Sequence, residues 1–261
     1  MSIAEDNSST AVERALGILE AVSQRSAGMT NSEISRKLAI PKSSASYILR
    51  TLEKRGYLAR ERGTGKYKLG LKALSLGSRI DVGGDLKQAA LPVLRRLVER
   101  YKLTAHLAVL DHNEAVYIEK VEAPGFIKMD TWVGKRMEVH STAVGKALLA
   151  HLSSEEAEAI IKEQGLRRFT AKTITTRAGL MADLEKVRRK GYSVDDEENN
   201  VGARCVAAPV FDSLGRVVAS IGVSATVTQI DRSSIAKIAE AVKQAAREVS
   251  RQLGYQADSK R

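Results

Sequence analysis

The spacing of apolar residues predicts three helices at the start of the chain. The first begins at Thr10, and its apolar residues recur every three or four positions. The second begins with a capping box, because Thr30 and Glu33 can each satisfy a free backbone N–H at the helix start. Pro41 suits the first turn of the third helix, where its missing N–H costs nothing. The short turn between the second and third helices therefore predicts a helix-turn-helix.

Two short alternating runs follow the third helix. Residues 57–62 and 66–69 each alternate in polarity and are joined by Gly63-Thr64-Gly65. This arrangement is typical of a β-hairpin. A hairpin directly after a helix-turn-helix predicts a wing, so we expect a winged helix-turn-helix domain over residues 10–70.

Beyond the hairpin, helices are grouped with strands. Residues 71–84 predict a linker helix and a hinge at Gly83-Gly84, after which Asp85 should cap a helix. The pattern predicts strands over residues 106–110, 115–121, 126–133, 205–211 and 216–224, and helices over residues 141–150, 153–164, 176–191 and 232–253. Strands and helices do not alternate strictly, so we expect an α+β domain with an antiparallel sheet over residues 85–256.

The composition narrows the class of protein. A length of 261 residues predicts two domains that each bury a core. No apolar run approaches the roughly 20 residues of a membrane helix. Residues 1–9 lack the layout of a secretory signal and are expected to form a disordered tail. The single cysteine, Cys205, excludes an internal disulfide. We therefore expect a soluble, cytoplasmic protein without a membrane partner.

Positive charge is concentrated on the predicted winged module. Between Thr30 and Lys72 there are eleven Lys and Arg residues and three acids, a surplus of eight within a net charge of +11. Such a surplus suits phosphate neutralisation, which releases condensed counterions. A solvated basic surface that binds protein is the alternative, but the helix-turn-helix and the glycine-tipped wing favour double-stranded DNA.

The candidate DNA-binding residues fall into two groups. Short polar groups and cations near the start of the third helix can approach base edges and phosphates in a major groove. Cations of the wing can contact phosphate or the adjacent minor groove. The first group is Lys42, Ser43, Ser44, Ser46, Tyr47 and Arg50, and the second is Arg60, Arg62, Lys66 and Lys68.

Four segments after the winged module resemble the IclR family of transcriptional regulators. They are GLKALSLG, HSTAVGKALLA, GYSVDDEENNVGARCVAAPVFD and GRVVASIGVSA, in this order, and the resemblance covers about residues 10–255. It implies a winged DNA-binding domain, a linker helix used in dimerisation, and an effector domain with a GAF-like fold. Family members act as homodimers or homotetramers on palindromic operators. The second and third segments are similar to the sugar-acid-responsive branch, that of the ketodeoxygluconate repressor.

The same resemblance implies an effector-binding site. Backbone N–H groups at the start of the helix at Ser141 can hold a carboxylate. Ser224 can hydrogen-bond the carboxylate, Asp195 can accept from a hydroxyl at the other end, and Trp132 can close the apolar side. The residues implied are Met137, Ala143, Val144, Asp195, Cys205, Gly222 and Ser224.

Two of these positions depart from the family's pattern, and two have simpler interpretations. Acid-binding relatives often have a hydroxyl residue in place of Gly222 and a smaller residue in place of Val144. The residue type of Cys205 is more often a buried small hydrophobe than a ligand contact. The acidic stretch that begins at Asp195 is typical of a solvated loop.

We therefore expect a ligand-responsive repressor of a catabolic operon that senses a small organic or sugar acid and needs no cofactor. One alternative is an activator with an aromatic-acid effector. Another is an enzyme with Cys205, His140 and Asp195 as nucleophile, base and orienter, although the apolar run around Cys205 should raise the thiol pKa. That pKa argues against a catalytic site. No two histidines have the i, i+4 spacing of metal ligands on a helix, so no metal site is expected either. His140 is expected on the ligand side and His151 at a helix end.

Overall fold

The computed structural model describes residues 10–77, 84–126 and 128–256. The chain divides into two compact units, Met1–Asp81 and Val82–Arg261. The expected tail of residues 1–9 and Gly83 of the expected hinge lie outside the described residues. Within the described ranges, no helix is both long enough and apolar enough to cross a membrane.

The first unit is a helix-turn-helix with a wing, as predicted. β1 and β2 pair antiparallel, with Leu58 opposite Leu69, and Tyr67 of β2 also exchanges two backbone hydrogen bonds with Met29. Its core includes the fully buried Leu49. The elements are α1 (Thr10–Ser23), α2 (Asn31–Leu38), α3 (Lys42–Lys54), β1 (Leu58–Arg60), β2 (Tyr67–Leu69) and α4 (Leu71–Gly77).

Local signals place the two helices of the helix-turn-helix. The capping box forms: the Glu33 N–H donates to Thr30 Oγ1 at 3.3 Å, and the Thr30 N–H donates to Glu33 Oε2 at 2.8 Å. Ala39 then ends α2 in the left-handed region, with a φ of 53°. Pro41 does not lie in the first turn of α3 as predicted. Its ψ of 139° is extended, so it is the residue that precedes the helix.

The second unit is an α+β domain, as predicted. All neighbouring strands of its six-stranded sheet pair antiparallel, in the order β5-β4-β3-β8-β7-β6. The elements are α5 (Gly84–Tyr101), β3 (Thr104–Asp111), β4 (Glu114–Val121), β5 (Arg136–Met137), α6 (Ala143–Leu149), α7 (Ser154–Gln164), α8 (Arg177–Lys190), β6 (Ser193–Asp196), β7 (Ala203–Phe211), β8 (Val217–Thr226) and α9 (Ile235–Gln252).

Helices cover both faces of this sheet. α5 and α9 pack on one face against side chains that include Leu107 and Ile221. α6 and α8 pack on the other face, over Ala108 and Ala207. All seven residues of α6 are buried. Gly145 allows this close packing, because a Cβ there would lie 2.4 Å from the Cα of Val139.

Two sequence predictions for the second unit are wrong. Residues 126 and 128–133 form no strand, and the chain pairs with β4 again only near Gly134, whose N–H donates to the Tyr117 carbonyl at 2.6 Å. The alternation there was misleading, because Phe126 is exposed rather than packed on the core. Asp85 lies inside the first turn of α5 rather than capping it, since the helix begins at Gly84.

Candidate functional site

The outer face of α3 carries the predicted major-groove residues. Lys42, Ser46 and Arg50 are four residues apart and therefore share one face of the helix. The cations are exposed and Ser46 is half-buried, while Tyr47 beside them is 70% exposed. Leu49 is fully buried in the core of the unit. One face of α3 therefore anchors the helix and the other presents cations and short polar groups to solvent.

Ser44 lies at the flank of this face and has a protein partner. The guanidinium Nη1 of Arg14 donates to Ser44 Oγ at 3.3 Å. Arg14 could not be identified from the sequence, because local spacing does not show that α1 packs beside the start of α3. The contact adds a cation beside Ser44 and leaves that hydroxyl less free to approach a base.

The wing cations have different surroundings. The Arg60 guanidinium lies 5.6 Å from the centroid of the Tyr67 ring. Lys68 Nζ lies 3.2 Å from Glu61 Oε1. Hydrogen bonds from Thr64 and from Lys68 lower the pKa of Glu61, so that carboxylate stays charged. Within the described part of the chain, no carboxylate comes within ion-pair distance of Arg60, Arg62 or Lys66.

A cavity of about 40 Å³ lies between α6, the loop after β6 and the sheet. Residues from distant parts of the sequence meet there through strand register, in which Asp195 is opposite Cys205 and Cys205 is opposite Ser224. All seven residues implied by the family resemblance line it: Met137, Ala143, Val144, Asp195, Cys205, Gly222 and Ser224.

Among the lining residues that the structure describes, Asp195 is the one acidic side chain, and none is Lys, Arg or His. Its Oδ1 accepts from the Glu198 N–H at 2.7 Å and from the Asn199 N–H at 3.3 Å. Burial raises the pKa of Asp195 to about 7, although these hydrogen bonds and Lys146 act in the opposite direction. Near neutral pH this carboxyl can therefore both donate and accept a hydrogen bond.

Several lining residues were not predicted. Some lie within β4, β7 and β8, and the others follow β4, precede α6 or belong to the loop after β6. No spacing in the sequence joins them to the predicted set. They are Tyr117, Met129, Thr131, Thr142, Asn199, Asn200, Ala203, Val206 and Val223.

His106 supports two of these lining residues. Its ring stacks on Tyr117 with centroids 4.4 Å apart, and its Nε2 lies 2.8 Å from Thr131 Oγ1. Burial, with smaller contributions from Lys120 and Lys135, lowers the pKa of His106 to about 3. The ring is therefore neutral near physiological pH. The sequence placed His106 on a strand but could not show what it contacts.

Two expectations for the cavity are wrong. Trp132 does not close the apolar side: Met129 and Thr131 line the cavity, while Trp132 is half-exposed under Lys135 Nζ, 4.5 Å from the ring centroid. His140 does not face the ligand side either. It is buried, and its Nε2 lies 3.0 Å from the Arg167 carbonyl oxygen.

The proposed catalytic group is not assembled. His140 is absent from the cavity lining that holds Cys205 and Asp195. Burial and the neighbouring Asp195 raise the pKa of the Cys205 thiol, which disfavours the thiolate that a nucleophile requires. His151 lies at the end of α6, as expected, with its Nδ1 3.0 Å from the Ala147 carbonyl. The described residues contain no group of three His, Cys, Asp or Glu arranged to hold a metal ion.

A winged helix-turn-helix unit with an exposed cationic helix face, followed by an α+β unit, fits the class of helix-turn-helix transcriptional regulators, and two family models match it. Residues 82–251 match the model of the bacterial transcriptional regulator IclR C-terminal domain. Residues 11–62 match the IclR helix-turn-helix domain. The chain therefore belongs to the IclR family of bacterial transcriptional regulators.

Curated relatives from Escherichia coli (strain K12) match this chain over nearly its whole length. The HTH-type transcriptional regulator XynR is 37% identical over 246 residues, which are 94% of this chain and 98% of XynR. The HTH-type transcriptional regulator KdgR is 35% identical over 252 residues, 96% and 95% of the two chains. The HTH-type transcriptional repressor AllR is 32% identical over 247 residues, 95% and 91% of the two chains.

Solved structures share the fold. Thermotoga maritima IclR superposes with a TM-score of 0.78 at 33% identity, covering 94% of this chain and 98% of that one. An IclR homolog from Microbacterium hydrocarbonoxydans, complexed with 4-hydroxybenzoate, gives a TM-score of 0.80 at 27% identity, covering 94% and 99%.

Proposed function

We propose that this regulator is a repressor of a catabolic operon and that a small organic or sugar acid in the cavity changes its affinity for DNA. The observation that carries the proposal is that the seven implied effector residues, which are distant in sequence, line one cavity. The relative AllR, named a repressor, supports the direction of regulation. Effector binding alters DNA affinity only if the cavity binds the ligand differently in two arrangements of the protein.

The DNA reader is the outer face of α3 together with the wing. Arg50 reaches a base edge, since a guanidinium can donate two hydrogen bonds to guanine in the major groove. Lys42 and Ser43 contact phosphate near the helix start, and Ser46 and Tyr47 complete the surface. In the wing, Arg60, Arg62 and Lys66 contact the phosphates of the DNA backbone. Lys68 contributes less than these three, because its ammonium is already paired with Glu61.

The regulator acts as a homodimer or a pair of dimers. Within the first unit, α1 exposes Val12 and Leu16, and α4 exposes Leu71, Leu74 and Leu76. Val12, Leu16 and Leu76 line one groove. An exposed apolar groove of this kind is typical of an interface, and a second copy supplies the matching surface under two-fold symmetry. Such a dimer reads two half-sites about one helical turn, or a multiple, apart.

The cavity suits a ligand with a carboxylate and hydroxyl groups. The described residues that line the cavity include no cation, so a carboxylate is held by neutral donors, among them the hydroxyl of Ser224. Asp195 bonds a ligand hydroxyl at the other end. A volume of about 40 Å³ holds only a few water molecules. A sugar acid therefore enters only when a wall of the cavity moves outward.

A thermal-shift screen of the full chain against sugar acids, keto acids and aromatic acids tests this proposal. A ligand that binds the folded state raises the melting temperature with concentration. We expect the largest shifts from sugar or keto acids, and Ser224→Ala should reduce the shift while leaving DNA binding without ligand intact. Shifts confined to aromatic acids would instead favour the effector class of the relative solved with 4-hydroxybenzoate. Unchanged shifts in Ser224→Ala would place the ligand elsewhere.

A further inference from the structure

A buried lysine lies directly behind the cavity. Lys146 of α6 is 1% exposed, and its Nζ lies 2.6 Å from Glu198 Oε1 and 2.9 Å from Asp183 Oδ2. An ammonium at such a position needs carboxylate partners, because desolvation without them is very unfavourable. Asp183 belongs to α8, whereas Glu198 belongs to the loop that follows β6.

That loop is one wall of the cavity. Asp195, Asn199 and Asn200 line the cavity, and the Glu198 N–H donates to Asp195 Oδ1 at 2.7 Å. The Glu198 carboxylate, in contrast, bonds Lys146. Glu198 therefore connects the cavity wall to a buried cation. Its backbone N–H bonds Asp195 in the wall, and its carboxylate bonds Lys146 on α6.

The loop is held by side-chain contacts besides this pair, since Asn199 Nδ2 donates to Ser141 Oγ and Lys172 pairs with Glu197. Glu197 has a φ of +64°, in the left-handed region that side chains other than glycine rarely adopt. The Thr173 hydroxyl holds the backbone by donating to the Glu198 carbonyl at 2.6 Å. Glu198 Oε2 is buried without a hydrogen-bond partner in the described part of the chain. The side-chain partner of the Glu198 carboxylate among those residues is Lys146, which donates to Oε1.

We propose that Lys146 is a positioning residue that, through Glu198, holds the wall of residues 195–200 closed over the cavity. The Lys146–Glu198 pair then sets how readily the cavity opens to admit a ligand. The consequence for regulation rests on the proposed effector site. The opening of the cavity is independent of that proposal, and it can be measured without any effector.

Cys205 is a built-in reporter of opening. It is the chain's single cysteine, and it lines the cavity opposite Asp195 and Ser224. Cys205 is partly buried in the closed structure, so its rate of alkylation by iodoacetamide in the folded full chain has a basal value that rises with local opening. Glu198→Ala should raise this rate about tenfold or more, because the wall loses its buried ion pair with α6 while Lys146 keeps Asp183. Glu198→Met should do the same while filling more of the vacated volume.

Two variants serve as matched controls. Glu198→Gln keeps an oxygen that can accept from Lys146, so its labelling rate should stay within about threefold of wild type. Asp183→Asn weakens the other partner of Lys146 without changing the loop, and its rate should also stay within about threefold. Melting temperatures are measured alongside, and labelling is carried out well below them. A substitution that only destabilised the whole fold would lower the melting temperature, and it would not confine faster labelling to Glu198→Ala and Glu198→Met.

The outcomes are distinct. Faster labelling in Glu198→Ala and Glu198→Met, with both controls slow, supports the positioning role. Wild-type rates in folded Glu198→Ala or Glu198→Met, or an equal rise in Asp183→Asn, would overturn it. Because no effector is added, a failed ligand screen does not affect this result, and a negative labelling result leaves the proposed effector site in place.

Discussion

The Val144 side chain occupies the space that a side chain at Gly222 would need. A Cβ at position 222 would lie 2.9 Å from Val144 Cγ1 and 3.2 Å from the Ala207 Cβ. The two departures from the family's pattern are therefore one feature, in which a larger residue on α6 requires glycine on the facing strand. The result is an apolar wall on this side of the cavity.

This relationship predicts coupling between the two positions. Gly222→Ser alone should destabilise the fold by about 1–3 kcal/mol, because overpacking forces neighbouring atoms apart. Adding Val144→Ala should recover part of that loss, giving a coupling of about 0.5–3 kcal/mol in a double-mutant cycle measured by urea unfolding. Strictly additive free energies of unfolding would contradict this interpretation.

The raised pKa of Asp195 predicts a pH-dependent stability. The folded pKa of about 7 lies above the ordinary value of 3.8, so the folded state binds a proton that the unfolded chain releases. Stability from this proton is present at low pH and is lost as pH rises toward and through the folded pKa. The free energy of unfolding of wild type relative to Asp195→Asn should fall by on the order of 2 kcal/mol between about pH 5 and pH 8.

Asp212 supplies a control for this measurement. Hydrogen bonds from Arg216 and Leu214 lower the pKa of Asp212 below its usual value, so it stays charged throughout that pH range. Asp212→Asn should differ from wild type by the same amount at both ends of the range. A flat difference for Asp195→Asn as well would show that Asp195 titrates normally.

The exposed apolar surface of α1 and α4 predicts a specific loss of assembly. Leu16 is 53% exposed and Leu74 is 69% exposed within one chain, so Leu16→Glu or Leu74→Glu should hardly affect the fold of that chain. In a two-fold dimer each change acts twice, and sedimentation should show monomers with weakened DNA binding. Leu214→Glu, at a position that is 74% exposed in the turn between β7 and β8, is the control. Unchanged sedimentation of both α1 and α4 variants would place the interface elsewhere.

Local chemistry explains which parts of the fold were predictable. The capping box at Thr30 and the glycine-tipped turn near Gly63 act within a few residues, so the helix-turn-helix and the wing could be located from sequence. Residues 126–133 show the limit of this approach. Alternation indicates a strand only where one side of it packs on a core, and Phe126 is exposed.

The contacts within the candidate cavity could not be predicted from local sequence either. The family resemblance named seven residues that line it, but the register that sets Asp195 beside Cys205 depends on strand pairing, which spacing does not encode. Lys146 was overlooked for a related reason. Within a short apolar helix it could be taken as a solvated end, whereas it is buried between carboxylates from two other elements.

The salt dependence of DNA binding by the full chain tests the central claim most directly. On a duplex that the protein selects from a random library, the logarithm of the binding constant should fall linearly with the logarithm of salt concentration. Lys66→Ala should flatten the slope by about one and weaken binding to all sequences alike. Arg50→Ala should cost about 1–3 kcal/mol on the selected duplex and relax its sequence preference. Binding that is insensitive to salt, or identical behaviour of the two variants, would contradict the assignment of α3 and the wing as the DNA reader.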